Sequence, residues 1–188
     1  MKRLAVIFPG IGYTADKPLL YHSRRLAEQA GFEIQIVNYS GFPKKVRDDA
    51  KKMRKSVEIA LSQSEEMLKD VDWDAYDDIL FIGKSVGTIA AAQTASNNPA
   101  KERIRIIAYT PLEETFSFPF VHAVVFTGTG DPWVGGKNSA VSERCKERNI
   151  PCYVYEGANH SLETSDPMKD IQNLQEIMKH TESFIRKG

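Results

Sequence analysis

Of the 188 residues, the stretch Gly83-Lys84-Ser85-Val86-Gly87 has the residue types and spacing that point most directly to chemistry. It follows Asp78-Ile79-Leu80-Phe81-Ile82, which reads as a strand, and opens onto Thr88-Ile89-Ala90-Ala91-Ala92, which reads as a helix. A G-x-S-x-G pattern alone is a weak signal, and its meaning comes from the strand before it and the helix after it. A sharp strand-to-helix turn needs small residues two places either side of its apex, because the backbone there folds back on itself. Gly83 and Gly87 meet that need, and Ser85 Oγ is then held up at the C-terminal edge of a sheet. The plainer alternative is a glycine-flanked turn.

A serine hydroxyl is a poor nucleophile until a base takes its proton, so this reading requires a histidine and an acid to orient it. Asp131, in Gly128-Thr129-Gly130-Asp131-Pro132-Trp133, and His160, in Gly157-Ala158-Asn159-His160-Ser161, follow later expected strands in the required order. That edge of an open α/β sheet is where sites are built. His122 begins a strand and so belongs to the opposite edge, while His22 and His180 fall within helices. Glu113 and Glu114 rival Asp131, since they follow another expected strand and could also reach the imidazole. Acyl transfer passes through an oxyanion, which needs backbone N–H groups already aimed at it. Val86 is one candidate donor; in the loop Phe8-Pro9-Gly10-Ile11-Gly12-Tyr13 the other is Ile11, with Gly12 next, because Pro9 has no N–H. Gly10, Gly12 and Ala15 also fit a dinucleotide-binding fingerprint, but Val37-Asn38-Tyr39 lacks the acid that holds a ribose, and no P-loop is present.

The elements that must position these residues alternate along the whole chain. Strands are expected over Arg3 to Phe8, Glu33 to Asn38, Asp78 to Ile82, Arg103 to Ala108, Val121 to Thr127 and Pro151 to Glu156. Most are apolar on both faces, as strands covered by helices on both sides should be. Helical spacing predicts helices over Pro18 to Ala30, Lys44 to Lys69, Val86 to Ser96, Lys137 to Arg148 and Met168 to Ile185. The second carries Val46, Ala50, Met53, Val57, Ala60, Leu61 and Met67 as its apolar stripe, with a basic cluster from Lys44 to Lys55 that reads as a solvated face. The last has Met168, Ile171, Leu174, Ile177, Met178 and Ile185 as its inner side. The expected fold class is α/β: a three-layer sandwich around a mostly parallel sheet of about six strands, one domain over residues 1–188.

Composition narrows the partners. Twenty-five basic residues balance 25 acidic ones, so no global field draws the chain to nucleic acid or an acidic membrane. The apolar runs are far shorter than a membrane span, and a soluble, cytoplasmic protein is expected. Two cysteines, Cys145 and Cys152, make neither a disulfide framework nor a Cys-rich zinc site and read as packing residues; no metal or cofactor is called for.

With the serine turn, the acid, the histidine and the glycine loop in place, the chain resembles the α/β-hydrolase superfamily over nearly its whole length. It is similar to small members without a cap domain, such as compact bacterial serine esterases and dienelactone-hydrolase-like proteins. The resemblance implies Ser85 as nucleophile, His160 as base, Asp131 as acid and N–H donors from Val86 and Ile11. The first-strand loop in that family commonly reads His-Gly, and here Pro9 stands in the place of the His. The implied reaction is hydrolysis of small carboxylic esters through an acyl-enzyme; thioesters and peptides share the mechanism, and a non-catalytic binding protein on the same fold is the competing class. The segment Pro111 to Phe120 is too short for a helical cap. Leu112, Phe116, Phe118 and Phe120 are expected beside the mouth of a shallow cleft, with Gly12, Tyr13 and Trp133 adding to its walls. Lys84 is expected to pair with a carboxylate, the alternative being contact with an acidic substrate.

Overall fold

The computed structural model describes residues 1–120, 122–134 and 138–187. Its elements run β1 (Arg3–Phe8), α1 (Pro18–Gln29), β2 (Glu33–Ile36), α2 (Ala50–Leu68), β3 (Asp78–Lys84), α3 (Val86–Asn97), β4 (Ile104–Tyr109), β5 (Ala123–Gly128), α4 (Asn138–Glu147), β6 (Cys152–Tyr155) and α5 (Pro167–Arg186). The six strands form one sheet in the order β2-β1-β3-β4-β5-β6, every pairing parallel. Val121 and Lys137, where the fifth strand and fourth helix were expected to begin, lie outside the described residues.

Apolar side chains fill both faces of the sheet, and this is what makes it the middle layer of three. Leu4, Val6, Phe8, Ile79, Phe81, Ile106 and Val125 pack beneath α2, α3 and α4; Ala5, Ile7, Leu80, Ile82, Ile107 and Phe126 pack beneath α1 and α5. β3 is buried along its whole length. The helix after it, α3, is short-chained and buried nearly all round, through Gly87, Ala90, Ala91, Ala92 and Ala95, so it can lie close against the sheet. At the N-terminal edge of the sheet Asp78 accepts three hydrogen bonds from Arg105, from Nε to Oδ1 and from Nη2 to both oxygens, and an ion pair from Arg3 at 3.0 Å, so one carboxylate ties β1, β3 and β4 together. On the α1/α5 side the Tyr109 hydroxyl joins Ser23 at 2.8 Å and Thr181 at 2.6 Å, linking a central strand to both covering helices.

Four expectations need correction. The second helix starts at Ala50, capped by the Asp49 carboxylate on the Lys52 N–H, and not at Lys44. Lys45 and Asp48 sit in the left-handed region, at φ 53° and 63°, and no helix passes through such residues. Its inner face carries Ser56, Ala60, Ser64 and Leu68, while Met67 of the expected stripe is exposed. Met168 and Ile171 of α5 are likewise exposed, and Thr181 is buried in their stead. The stretch expected to be irregular holds a 3-10 turn, Glu113–Ser117. No helix among the described residues is long and apolar enough to cross a membrane.

Candidate active site

Ser85 stands between β3 and α3 at φ 55° and ψ −123°, a strained conformation for a residue with a side chain. The surroundings enforce it. A Cβ on Gly87 would fall 2.1 Å from the Phe8 carbonyl oxygen, and one on Gly83 would fall 2.9 Å from Thr88 Cα, so only glycine lets the turn close against β1 and α3. The Ser85 N–H donates to the Tyr109 carbonyl at 3.1 Å, and its carbonyl accepts from the N–H and hydroxyl of Thr88.

Asp131 and His160 reach Ser85 from loops after β5 and β6. Those loops pack backbone to backbone: a Cβ on Gly128 would lie 2.1 Å from the Ala158 carbonyl oxygen, and the Gly130 N–H donates to that same oxygen at 3.0 Å. His160 Nε2 lies 2.7 Å from Ser85 Oγ, and its Nδ1 lies 2.7 Å from Asp131 Oδ2. The second Asp131 oxygen accepts the Trp133 N–H at 2.9 Å, and the acid is 2% exposed. Thr110, itself at φ 42°, donates its hydroxyl to the His160 carbonyl, and the Trp133 ring lies 5.3 Å from the imidazole. Burial, with the nearby Lys84 cation second, holds the imidazole below its usual value of 6.5, and Asp131 opposes both. Glu113 and Glu114 are exposed on the 3-10 turn, and the Nδ1 partner is Asp131.

The loop after β1 closes on itself, Gly10 N–H to Tyr13 carbonyl at 3.0 Å and the reverse at 3.2 Å, with Ile11 and Gly12 at its tip. It sits against the serine turn, where a Cβ on Gly10 would come within 3.2 Å of Ser85 Cβ. No described hydrogen bond uses the N–H of Ile11 or of Val86.

The expected cleft walls are placed differently. Tyr13 is buried with its hydroxyl accepting the Leu19 N–H at 3.1 Å, and burial pushes that hydroxyl up to about 12. Phe116 and Phe120 pack into the core, their rings 5.7 Å apart and capped by Arg148, which donates to the carbonyls of Phe116 and Phe118. Leu112 is also buried, and Phe118 half-buried. Trp133 remains as a half-exposed ring beside His160. Lys84 has no ion pair with a carboxylate among the described residues, contrary to expectation; it is 1% exposed, its ammonium 4.9 Å from the centre of the Tyr13 ring. Sequence reasoning missed Thr110 and the Trp133 N–H. A threonine directly after a strand was the available signal for the first; the second is backbone and leaves none.

No protein-family model matches the sequence, and no curated protein matches it either. Solved structures do match in three dimensions. An α/β serine hydrolase without lid from Xanthomonas campestris superposes with a TM-score of 0.62 at 13% identity, over 98% of this chain and 81% of that one. An α/β serine hydrolase homologue from Coxiella burnetii gives 0.58 at 18% identity, over 97% and 84%. The chain has the α/β-hydrolase fold. An esterase from Pyrococcus furiosus matches as well, at TM-score 0.64 and 14% identity over 99% and 82% of the two chains. The superposed lengths leave this chain close to the span of its neighbours.

Proposed function

We propose that this protein is a serine hydrolase that cleaves small carboxylic esters through an acyl-enzyme on Ser85. The observation that carries the reading is the unbroken relay from Ser85 Oγ to His160 to Asp131, two contacts of 2.7 Å. In the reaction His160 Nε2 takes the hydroxyl proton as Ser85 Oγ attacks the ester carbonyl. Asp131, fixed by the Trp133 N–H, keeps the imidazole in the tautomer whose Nδ1 carries hydrogen and stabilises the imidazolium. The N–H groups of Val86 and Ile11, which no hydrogen bond among the described residues uses, receive the oxyanion. The imidazolium then protonates the departing alcohol, and a water activated by the same His160 releases the acid. Esters are favoured over thioesters and peptides by the neighbour that is itself an esterase.

The acyl group is expected to be short. Among the described residues only the 3-10 turn Glu113–Ser117 stands where a cap would lie, and Phe116 within it and Phe120 after it face inward. A chain longer than about four to six carbons would find little further surface at roughly 0.8 kcal/mol per buried CH₂. The deciding experiment is labelling by a serine-directed fluorophosphonate, which needs no knowledge of the substrate. The wild type should label at Ser85, and Ser85→Ala should not, with p-nitrophenyl acetate and butyrate turned over far better than palmitate. A wild type that neither labels nor hydrolyses any ester would leave the fold as a binding scaffold.

A further inference from the structure

Lys84 occupies a position where an apolar side chain would cost less. Strand alternation turns it to the α1/α5 face with Leu80 and Ile82, in register with Tyr109 of β4. It is 1% exposed, and within 4.0 Å its ammonium meets no described carboxylate; it lies over the face of the Tyr13 ring, 4.9 Å from its centre. Taking an ammonium out of water without an ion pair is expensive, and a Met of similar length would fill the space without that penalty. The charged and titratable groups that face it come from every neighbouring loop: Tyr13 after β1, Tyr109 at the end of β4, Asp131 after β5, and His160 and Glu163 after β6. It also directly precedes Ser85. A cation buried one residue from Ser85 disfavours further positive charge nearby, and His160, bonded to Ser85 Oγ, is the group in reach that gains it.

Resting on the reading of Ser85, His160 and Asp131 as the reacting groups, we propose that Lys84 is a positioning residue that acts through His160: its buried ammonium, seated on Tyr13, repels a proton from the imidazole and so keeps the base ready to accept the serine proton in mildly acidic surroundings. Burial brings Lys84 itself down to about 7, with Asp131 and Glu163 opposing, so the ammonium is present below that pH and absent above it. As pH falls, the first proton goes to Lys84, and that proton then disfavours the second on His160. The same burial sets a stability signature. The unfolded chain holds the Lys84 proton up to its ordinary 10.5, so the penalty is complete below about 7 and fades as pH rises from there to 10.5.

The test compares wild type, Lys84→Met and Lys84→Arg. The acid limb of kcat/KM on p-nitrophenyl acetate should move to higher pH in Lys84→Met, so that activity at about pH 5.5 relative to about pH 8 drops several-fold. Lys84→Arg, which keeps a permanent charge, should hold the limb low. NMR titration of the His160 ring protons, which needs no substrate, should show the same upward move, and the melting temperature of Lys84→Met at neutral pH should equal or exceed the wild type. A uniform loss of activity at every pH, with the His160 titration unmoved, would reduce Lys84 to packing and overturn the proposal. If Lys84→Met fails to fold, the wild type decides alone: a His160 titration indifferent to the ionisation of Lys84 overturns it. Failure to hydrolyse any ester or to take up the fluorophosphonate would instead sink the hydrolase reading, while the NMR arm still judges Lys84.

Discussion

Asp131 divides its two oxygens between His160 and the N–H of Trp133, two residues along its own chain, so its carboxylate is fixed before the histidine arrives. Asp131→Asn should keep that geometry while presenting an amide to Nδ1, which selects the wrong tautomer. Turnover of p-nitrophenyl acetate should fall about ten-thousandfold by analogy with a serine protease, whereas Glu113→Gln, on an exposed turn, should stay within a few-fold of wild type. A larger loss in Glu113→Gln would move the acid role out of the β5 loop. At this scale the meeting of Ser85, Asp131 and His160 in space was legible because their order along the chain reflects the sheet edge they share. The cleft residues were not: Tyr13, Phe116 and Phe120 are of types that serve equally as walls or as core, and burial alone distinguishes the two.

The turn into α3 is where element and site meet most tightly. Gly87→Ala would drive a methyl group into the Phe8 and Pro9 carbonyls, at 2.1 and 2.4 Å, where backbone on both sides cannot yield. Stability should fall by about 3 kcal/mol or more, read as a lower denaturation midpoint, and the folded fraction should lose activity because Ser85 moves with the helix. A variant as stable and active as wild type would mean the turn relaxes in a way these contacts do not allow. Strand and helix existence was legible because apolar runs and helical periods alternate cleanly. The start of α2 was not, since Lys45 and Asp48 carry side chains that give no sign of a positive φ. Nor was its inner face: Ser56 and Ser64 satisfy their hydroxyls on the Lys52 carbonyl and on Tyr39, which lets polar residues sit where an apolar stripe was sought.

Across the whole molecule the two edges of the sheet divide their work. Asp78 holds Arg3 and Arg105 at the N-terminal edge, roughly 20 Å along β3 from Ser85 at strand rise. Asp78→Asn leaves two arginines short of their counter-charge and should cost on the order of 3 kcal/mol in denaturation, with kcat of the folded protein unaltered. A fall in kcat without loss of stability would contradict this separation. The layered architecture was legible because strands apolar on both faces require cover on both sides; the strand order was not, as no residue pattern in one chain reports which strand neighbours which. That order carries a consequence in time. From β3 onward each new strand joins the outer side of the last, β4 on β3, β5 on β4, β6 on β5, so a chain emerging from the ribosome can extend its sheet as it lengthens. The serine appears first, its acid next, and the histidine only after β6 is made. On the proposed reading, a nascent or truncated chain carries an inert hydroxyl, and its reactivity is switched on by the last edge to dock.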